Sequence, residues 1–395
     1  MKGRVTSILQ LSVRELEAWR DLASHAVQPN PLFEAGSLLP TARHLPSGAA
    51  MALVIAEEDG VFFACFPVMK AAAHTRPSTT WSGVSQSVYT SQVRRLDYDG
   101  TPLFRRERGV EAAKCLLSAV SQGRGKDSPH ILVLEAMDLD GPVRGFLREA
   151  AKQRRTPWHT YREWERPVVM RRAQKDYRTV HKAEHLRNFE KKSQRLAKLL
   201  GGDVTVVDRS ADAAAIGTLL EIEDSGYKAA QRISLASHFG EIEWFHEMCA
   251  HFRDIDRLYV FSLEVNDEVV AMMALIQGDD VLFGLQTVFR EEYAKSSPGV
   301  LLWLEVVDLF HTGTSALLLD SCTYPHNVTL LNLMPDRRQV STELFHVGAR
   351  RGRLRFRLYA AGQTLLGLNS PFRQRHERLC TFLDRHLSRF GVIGS

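Results

Sequence analysis

Cysteine is scarce in this chain, with five in 395 residues, at positions 65, 115, 249, 322 and 380. They are far apart and odd in number, no Cys-x-x-Cys occurs, and none sits with histidine at zinc-ligand spacing. A disulfide framework and a zinc module are thereby excluded as organising features, and no metal is expected. Each thiol reads as a small buried hydrophobe in a reduced, cytoplasmic protein. Long apolar runs are missing too. Runs such as Val269–Ile276 fall far short of the ~20 residues of a membrane span. The opening stretch, MKGRVTSILQLSVRELEAWR, has no signal-peptide apolar region. No short-period repeat, helix-turn-helix or RNA-binding signature appears, so nucleic acid is not an expected partner.

What is present is ordinary globular composition, 44% hydrophobic and 25% charged, which excludes a disordered or fibrous chain. The length suggests about two to three domains, each able to bury a core. The formal net charge of +5 is unevenly spread. Residues 337–395 hold twelve Arg and no Lys against three acids, a net +9. Residues 171–198 hold ten Lys and Arg against three acids, a net +7, which leaves the remainder near −11. Two basic segments on an acidic body point to local anion contacts.

Hydrophobic periodicity divides the chain into two α/β halves. In the first, Ser12 and Glu15 make a capping pattern before Leu16, Trp19, Leu22 and Ala23 at helical spacing, so a helix is predicted over 12–26. Pro29-Asn30-Pro31 stops it, and a short helix follows over 33–44. Apolar runs 51–57 and 61–69 around Glu58-Asp59-Gly60 predict a hairpin. A helix at 108–121, a strand at 131–135, a helix at 141–153 and a short strand at 168–170 complete this half. In the second, a basic helix is predicted over 171–200, then a strand at 203–207 and helices at 211–223 and 238–252. Strands at 257–265, 268–277 and 281–288 form a meander. A Ser-Ser-Pro-Gly turn leads into an apolar helix over 300–310, and a strand follows at 316–320. Both halves begin with a helix pair and a hairpin, as a diverged tandem of one fold would. A helix N-terminus placed after such a meander exposes free N–H groups and a positive dipole end, suited to a pyrophosphate.

Five segments, in order, carry a family resemblance: Trp19–Pro40 (WRDLASHAVQPNPLFEAGSLLP), Lys191–Leu200 (KKSQRLAKLL), Ile222–Lys228 (IEDSGYK), Tyr293–Leu302 (YAKSSPGVLL) and Leu319–His326 (LDSCTYPH). Together they resemble GNAT-fold acyltransferases of the bacterial CelD/BioF-like type, related in architecture to the Fem peptidyltransferases. The resemblance spans most of residues 15–345, and the Ser-Pro-Gly-x-x-Leu segment is its most specific piece. Tyr227 stands where the family has Trp, Ala229 where it often has Gly, and Arg290 where it often has Asp. The strict phosphate loop, Arg/Gln-x-x-Gly-x-Gly/Ala, is absent. These departures bear on the donor more than on the fold.

The resemblance implies an α/β (α+β) fold of two tandem GNAT-like units with mixed, largely antiparallel sheets flanked by helices. Residues 1–170 would form the N-terminal unit, completed by 346–395, and 171–345 the C-terminal acyltransferase unit. It implies transfer of an acyl group from acyl-CoA, as co-substrate, to an amine acceptor such as a lipid base, an amino sugar or a similar envelope precursor. Ser296, Ser297, Gly299 and Val300 become the phosphate contacts, against the simpler reading of a helix cap. Glu223 is the general-base candidate, against an ion-paired helix acid, and Tyr227 and Lys228 border the substrate. Asp320 and His326 flank a strand end where substrate groups gather, though each also suits a structural role. Tyr293 can protonate the leaving thiolate or sit satisfied by backbone. The backbone of Gln286 and Thr287 is the oxyanion contact for the donor.

Two other readings stand beside this one. A Fem-like aminoacyl-tRNA-dependent transferase would use the basic 171–198 helix, and a non-catalytic envelope-synthesis protein would bind without reacting. The tail at 372–393 alternates Phe372, Leu379, Phe382, Leu383, Leu387 and Phe390 with five arginines. As a basic amphipathic helix it would lie on the anionic inner face of the cell membrane, or dock on the N-terminal unit with its arginines in water. An Arg-rich strand is expected at 353–361, packing back on the first unit.

Overall fold

The computed structural model describes residues 1–46, 48–72, 87–90, 99–121, 131–172, 183–323 and 327–348, and then 352–354, 356–357 and 360–361. The 372–393 tail, His326, Cys380 and residues 173–182 of the basic segment lie outside the described residues. The chain forms two compact units, Met1–Glu165 with the described residues from Gln339 onward, and Arg166–Arg338. The sequence reading put these passages at 170/171 and 345/346.

The first unit begins with strand β1 (Lys2–Ser7), followed by helices α1 (Val13–Ser24) and α2 (Ala35–His44). Ser12 caps α1 as its sequence implies: its Oγ accepts from Glu15 N at 3.4 Å, and its own N–H donates to Glu15 Oε2 at 2.8 Å. Strands β2 (Ala52–Glu58) and β3 (Val61–Ala72) form the hairpin. Then come β4 (Ser87–Thr90), the two-residue β5 (Leu103–Phe104), α3 (Gly109–Ser121), β6 (Ile131–Asp138), α4 (Pro142–Gln153) and β7 (Trp158–Met170). Strands β1 to β4 pair antiparallel in sequence, β4 pairs β6 in parallel, and β5 pairs β3. The core gathers Trp19, Leu22, Phe62, Phe66, Phe104, Leu116 and Leu134. Asn30, fully buried, ties the loop after α1 to the chain by donating to Asp99 O and Thr101 O, each at 2.8 Å.

The second unit repeats this order. It comprises α5 (Ala183–Leu200), β8 (Thr205–Asp208), α6 (Ala215–Ser225), the single turn α7 (Tyr227–Ala230), α8 (Glu241–Asp254), β9 (Leu258–Val265), β10 (Glu268–Gly278), β11 (Val281–Phe289), α9 (Pro298–Gly313), β12 (Leu318–Asp320) and α10 (Val328–Leu333). Strands β8 to β11 pair antiparallel in sequence, and β11 pairs β12 in parallel. Leu302, Val307 and Phe310 of α9 pack on Leu263, Met273 and Leu275 beneath them.

The last strand of each unit comes from the other half of the sequence. Residues from Val340 on in β13 (Asp336–His346) pair antiparallel with β6 of the first unit. Val168–Met170 pair antiparallel with β12 of the second. This reciprocal exchange explains two departures from expectation. The strand expected at 168–170 is the end of the thirteen-residue β7. Strand β13, invisible in the sequence, carries Ser341, Thr342 and Glu343, polar residues that are all buried. Glu343 is neutralised there by Arg144, whose Nε donates at 2.6 Å, and by Thr160 Oγ1 at 3.1 Å.

Two expectations are corrected. The basic helix does not begin at 171. Arg171 and Arg172 are non-helical, and the Arg171 guanidinium donates to the carbonyls of Phe310, His311, Thr314 and Ala316 at 2.6–2.9 Å, satisfying the C-terminal end of α9. The described residues of 353–361 are helical, not a strand, with Phe356 and Ala360 buried four residues apart on Ile131, Val133 and Leu344. Among the described residues, no helix is long and apolar enough to cross a membrane, and no His/Cys/Asp/Glu cluster is arranged to hold a metal.

Phe345 is 1% exposed in the first unit's core although it lies after the whole second unit in sequence. Phe345→Ala should therefore cost about 3–5 kcal/mol in urea unfolding. Amide exchange in β6 should quicken with it.

Candidate functional site

Strand β11 positions the site because it departs from regular pairing at one residue. Its register with β10 runs Gly284 to Leu275 and then Gln286 to Ala274, so Leu285 is an extra residue, a β-bulge. In a regular strand, Gly284 and Gln286 would share a face. The bulge instead turns Gly284 and Thr287 toward α9 and Gln286 toward α6. A Cβ on Gly284 would lie 3.2 Å from the Trp303 ring and 3.1 Å from Ser321 O, so only glycine fits there without a shift. A Cβ on Gly299 would lie 3.7 Å from the Thr287 methyl, which places Thr287 against the start of α9. Beyond Phe283, paired with Asp320, the parallel pairing of β11 and β12 ends, while β11 continues to Phe289.

On the α6 side three sequence-predicted residues converge. Glu223, 4% exposed, accepts from Leu235 N through Oε2 at 3.0 Å. Its Oε1 accepts from Lys228 Nζ at 3.4 Å and from Gln286 Nε2. A carboxylate offers about four acceptor sites. Among the described residues three donors reach it. Burial pushes the Lys228 amine below its usual range, against the opposing pull of Glu223. Tyr227, next to Lys228, donates its backbone N–H to Glu291 Oε1 at 2.6 Å.

On the α9 side, Ser296 and Ser297 are buried, and Ser297 is held at φ +48° before Pro298. Pro298 has no amide hydrogen, so the first N–H of the helix is that of Gly299, followed by Val300, whose N–H returns to Ser297 O at 3.0 Å. Lys192 of α5 donates to Ser297 Oγ at 2.9 Å, which brings a cation to this helix start. Burial lowers the Lys192 pKa. The spacing of the basic helix gave no sign of this contact.

The Asp320 and Tyr293 side chains are engaged with other partners. Asp320 is fully buried between Arg338, whose Nη1 donates at 2.8 Å, and Arg166 at 3.6 Å, and Cys322 N donates to it at 2.8 Å. Burial raises its pKa, but the two arginines and the backbone donor outweigh this and hold it below the usual carboxylate range. Tyr293 gives its hydroxyl proton to Glu268 at 2.6 Å on the exposed rim, and that bond holds its pKa up at about 12. Arg290 is likewise turned back, its Nε donating to Val269 O at 2.9 Å.

Asp320→Asn should cost about 3–5 kcal/mol, because it leaves two buried guanidinium groups short of their counter-charge. The folded-state pKa is depressed, so this contribution is present above the unfolded carboxylate range and is lost as pH falls through the lower folded value. Urea midpoints of the native and variant proteins should converge on acidification.

Residues 183–312 match the family model described as an acetyltransferase (GNAT) domain. The solved structure of FemX aligns over 87% of this chain and 97% of its own, at 8% identity and a TM-score of 0.55. A conserved protein of unknown function from Bacteroides thetaiotaomicron VPI-5482 aligns over 84% and 97%, at 10% identity and a TM-score of 0.53. A tandem GNAT protein from the clavulanic acid biosynthesis pathway aligns over 88% and 99%, at 11% identity and a TM-score of 0.40. No curated protein matches the chain. The chain has a GNAT/Fem-like fold in which the second unit repeats the element order of the first, and the match to the acetyltransferase (GNAT) domain falls within that second unit.

Proposed function

We propose that this protein is a cytoplasmic, acyl-CoA-dependent N-acyltransferase of the CelD/BioF-like type. The observation that carries the reading is the bulge at Leu285. It divides the residues of one strand between a helix N-terminus on one side and the buried Glu223 carboxylate on the other.

In this reading the pyrophosphate of the donor lies at the start of α9, against the Gly299 N–H and the Lys192 ammonium, while the Val300 N–H stays with Ser297 O. The thioester lies along β11 where β12 has ended, its carbonyl oxygen polarised by backbone N–H of the Gln286–Thr287 segment. The acceptor amine approaches from the Tyr227–Lys228 side. Its nitrogen attacks the carbonyl carbon, the C–S bond breaks as the C–N bond forms, and Glu223 takes the ammonium proton. The thiolate leaves and is protonated from solvent, since the Tyr293 proton is committed to Glu268. Lys228 and Gln286 hold the Glu223 carboxylate in place. Asp320 supports the strand end and does not meet substrate.

A Fem-like transfer from aminoacyl-tRNA is the second reading, favoured by the basic α5 helix whose Lys192 reaches the α9 start. The two differ in donor, and tRNA binding would fall steeply with salt.

Glu223→Gln should lower kcat by about 10²–10⁴-fold with little change in KM for the thioester. Acyl-CoAs from two to eighteen carbons should raise stability by about 2.7 kcal/mol at a hundredfold excess over Kd. The chain length that does so identifies the donor class. No shift with any thioester, together with salt-sensitive tRNA binding, would replace the first reading by the second.

A further inference from the structure

At one end of the first unit three strand termini lie side by side. Ile131, the first residue of β6, pairs with His346, the last of β13. His346 N donates to Pro157 O at 3.0 Å, one residue before β7 begins. The His346 ring meets Phe356 edge-on at 5.7 Å, and a Cβ on Gly352 would lie 3.0 Å from its Nε2. The turn after α4 and the helical segment holding Phe356 are therefore neighbours across one histidine. Both turn basic and apolar side chains outward. Arg155 is exposed, and Trp158 is 36% exposed. Leu354, between Arg353 and the rest of its segment, is 67% exposed, and Arg357 is exposed one residue after Phe356. Elsewhere in this unit Arg4, Arg105, Arg108 and Arg144 pair with carboxylates, and Arg154 donates to Ser118 Oγ. Arg155 and Arg353 have no ion-pair partner among the described residues. The acids near this end are few. Glu149 of α4 is exposed and met by the exposed Lys152 at 3.7 Å. Glu343 is fully buried on Arg144. Glu163 lies five residues along β7 from Trp158, roughly 17 Å away, and the half-buried Glu135 four residues along β6 from Ile131, roughly 13 Å away. His159 is held toward its neutral form by burial. The balance of Lys152, Arg155, Arg353 and Arg357 against Glu149 is positive, and it attracts anions.

We propose that this end of the first unit is a contact surface for an anionic lipid bilayer. Arg155 and Arg353 meet headgroup phosphates, and Trp158 and Leu354 enter the boundary between headgroups and acyl chains. An RNA backbone would satisfy the arginines but leave Leu354 in water, and the exposed leucine among unpaired arginines is what favours lipid. The proposal goes beyond the acyltransferase reading and does not rest on it.

The test is sedimentation of the full chain with phosphatidylcholine vesicles, with and without phosphatidylglycerol. The native chain should partition only onto vesicles that contain phosphatidylglycerol, and added salt should release it. Arg155 stands at φ +52°, a backbone that Asn tolerates, so Arg155→Asn removes the charge without strain. Arg155→Asn and Arg353→Gln should each weaken partition by about fivefold, and together by about twenty-five-fold. Arg353→Lys should keep the native value. Leu354→Ser should weaken partition by a few fold, and its thermal midpoint should stay native because the side chain is exposed. Failure to sediment with phosphatidylglycerol overturns the proposal. So does native partition by the double arginine variant, since the 372–393 tail or another surface would then carry the contact. Indifference to Leu354→Ser, with tRNA binding that falls in the double arginine variant, overturns it in favour of an RNA surface. None of these substitutions should alter thioester binding, whose failure sinks the acyl-CoA reading alone.

Discussion

One inserted residue in one strand governs the geometry of the second unit. Without the bulge at Leu285, Gly284 and Gln286 would share one face of β11 and Thr287 would lie on the other. With it, Gln286 reaches a carboxylate on α6 while Thr287 lines the start of α9. The bulge also coincides with the place where β12 stops following β11. A bent strand that loses its parallel neighbour leaves room along its backbone, and room beside backbone N–H groups is what an acyl carbonyl requires. Trp303 and Ser321 crowd Gly284 from the other side, so the bend is enforced by packing as well as by register.

Buried charge is handled differently in the two units and within the second. In the first, Glu343 is closed off by Arg144 and Thr160. In the second, Asp320 is closed off by Arg166 and Arg338. Both carboxylates face guanidinium groups and are consumed by structure. Glu223 faces a desolvated lysine, a side-chain amide and one backbone donor, with no guanidinium against it among the described residues. That difference in partners, not burial, is what makes Glu223 the proposed proton acceptor.

The exchange of final strands ties the duplication together. Apart from the short β5 on β3, each unit runs three antiparallel pairings, one parallel pairing and one antiparallel strand borrowed from the far half of the sequence. A unit that borrows its last strand cannot be cut from the chain at a single point. The contact boundaries accordingly fall inside β7 and β13, not in a linker.

The sequence by itself determined the elements whose cause is local. The Ser12–Glu15 box, the hairpin around Asp59-Gly60, the β9–β11 meander and the apolar α9 behind Ser-Pro-Gly all follow from capping, turn chemistry and periodicity within a few residues. Glu223, Lys228 and Gln286 were each legible as candidates through a family-like motif and a strand end, but the hydrogen bond from the Gln286 side chain to Glu223 was not. Tertiary structure decided what depends on distant partners. Strand β13 was hidden because Ser341, Thr342 and Glu343 are polar, and the burial of Glu343 becomes tolerable only when Arg144, almost two hundred residues away, meets it. Arg171 read as part of a basic helix until the carbonyls of α9 claimed it. Asp320 read as a site residue until Arg166 and Arg338 closed on it. The bulge at Leu285 leaves no mark in composition or spacing, because it is a property of register between two strands, and register exists only once the strands have paired.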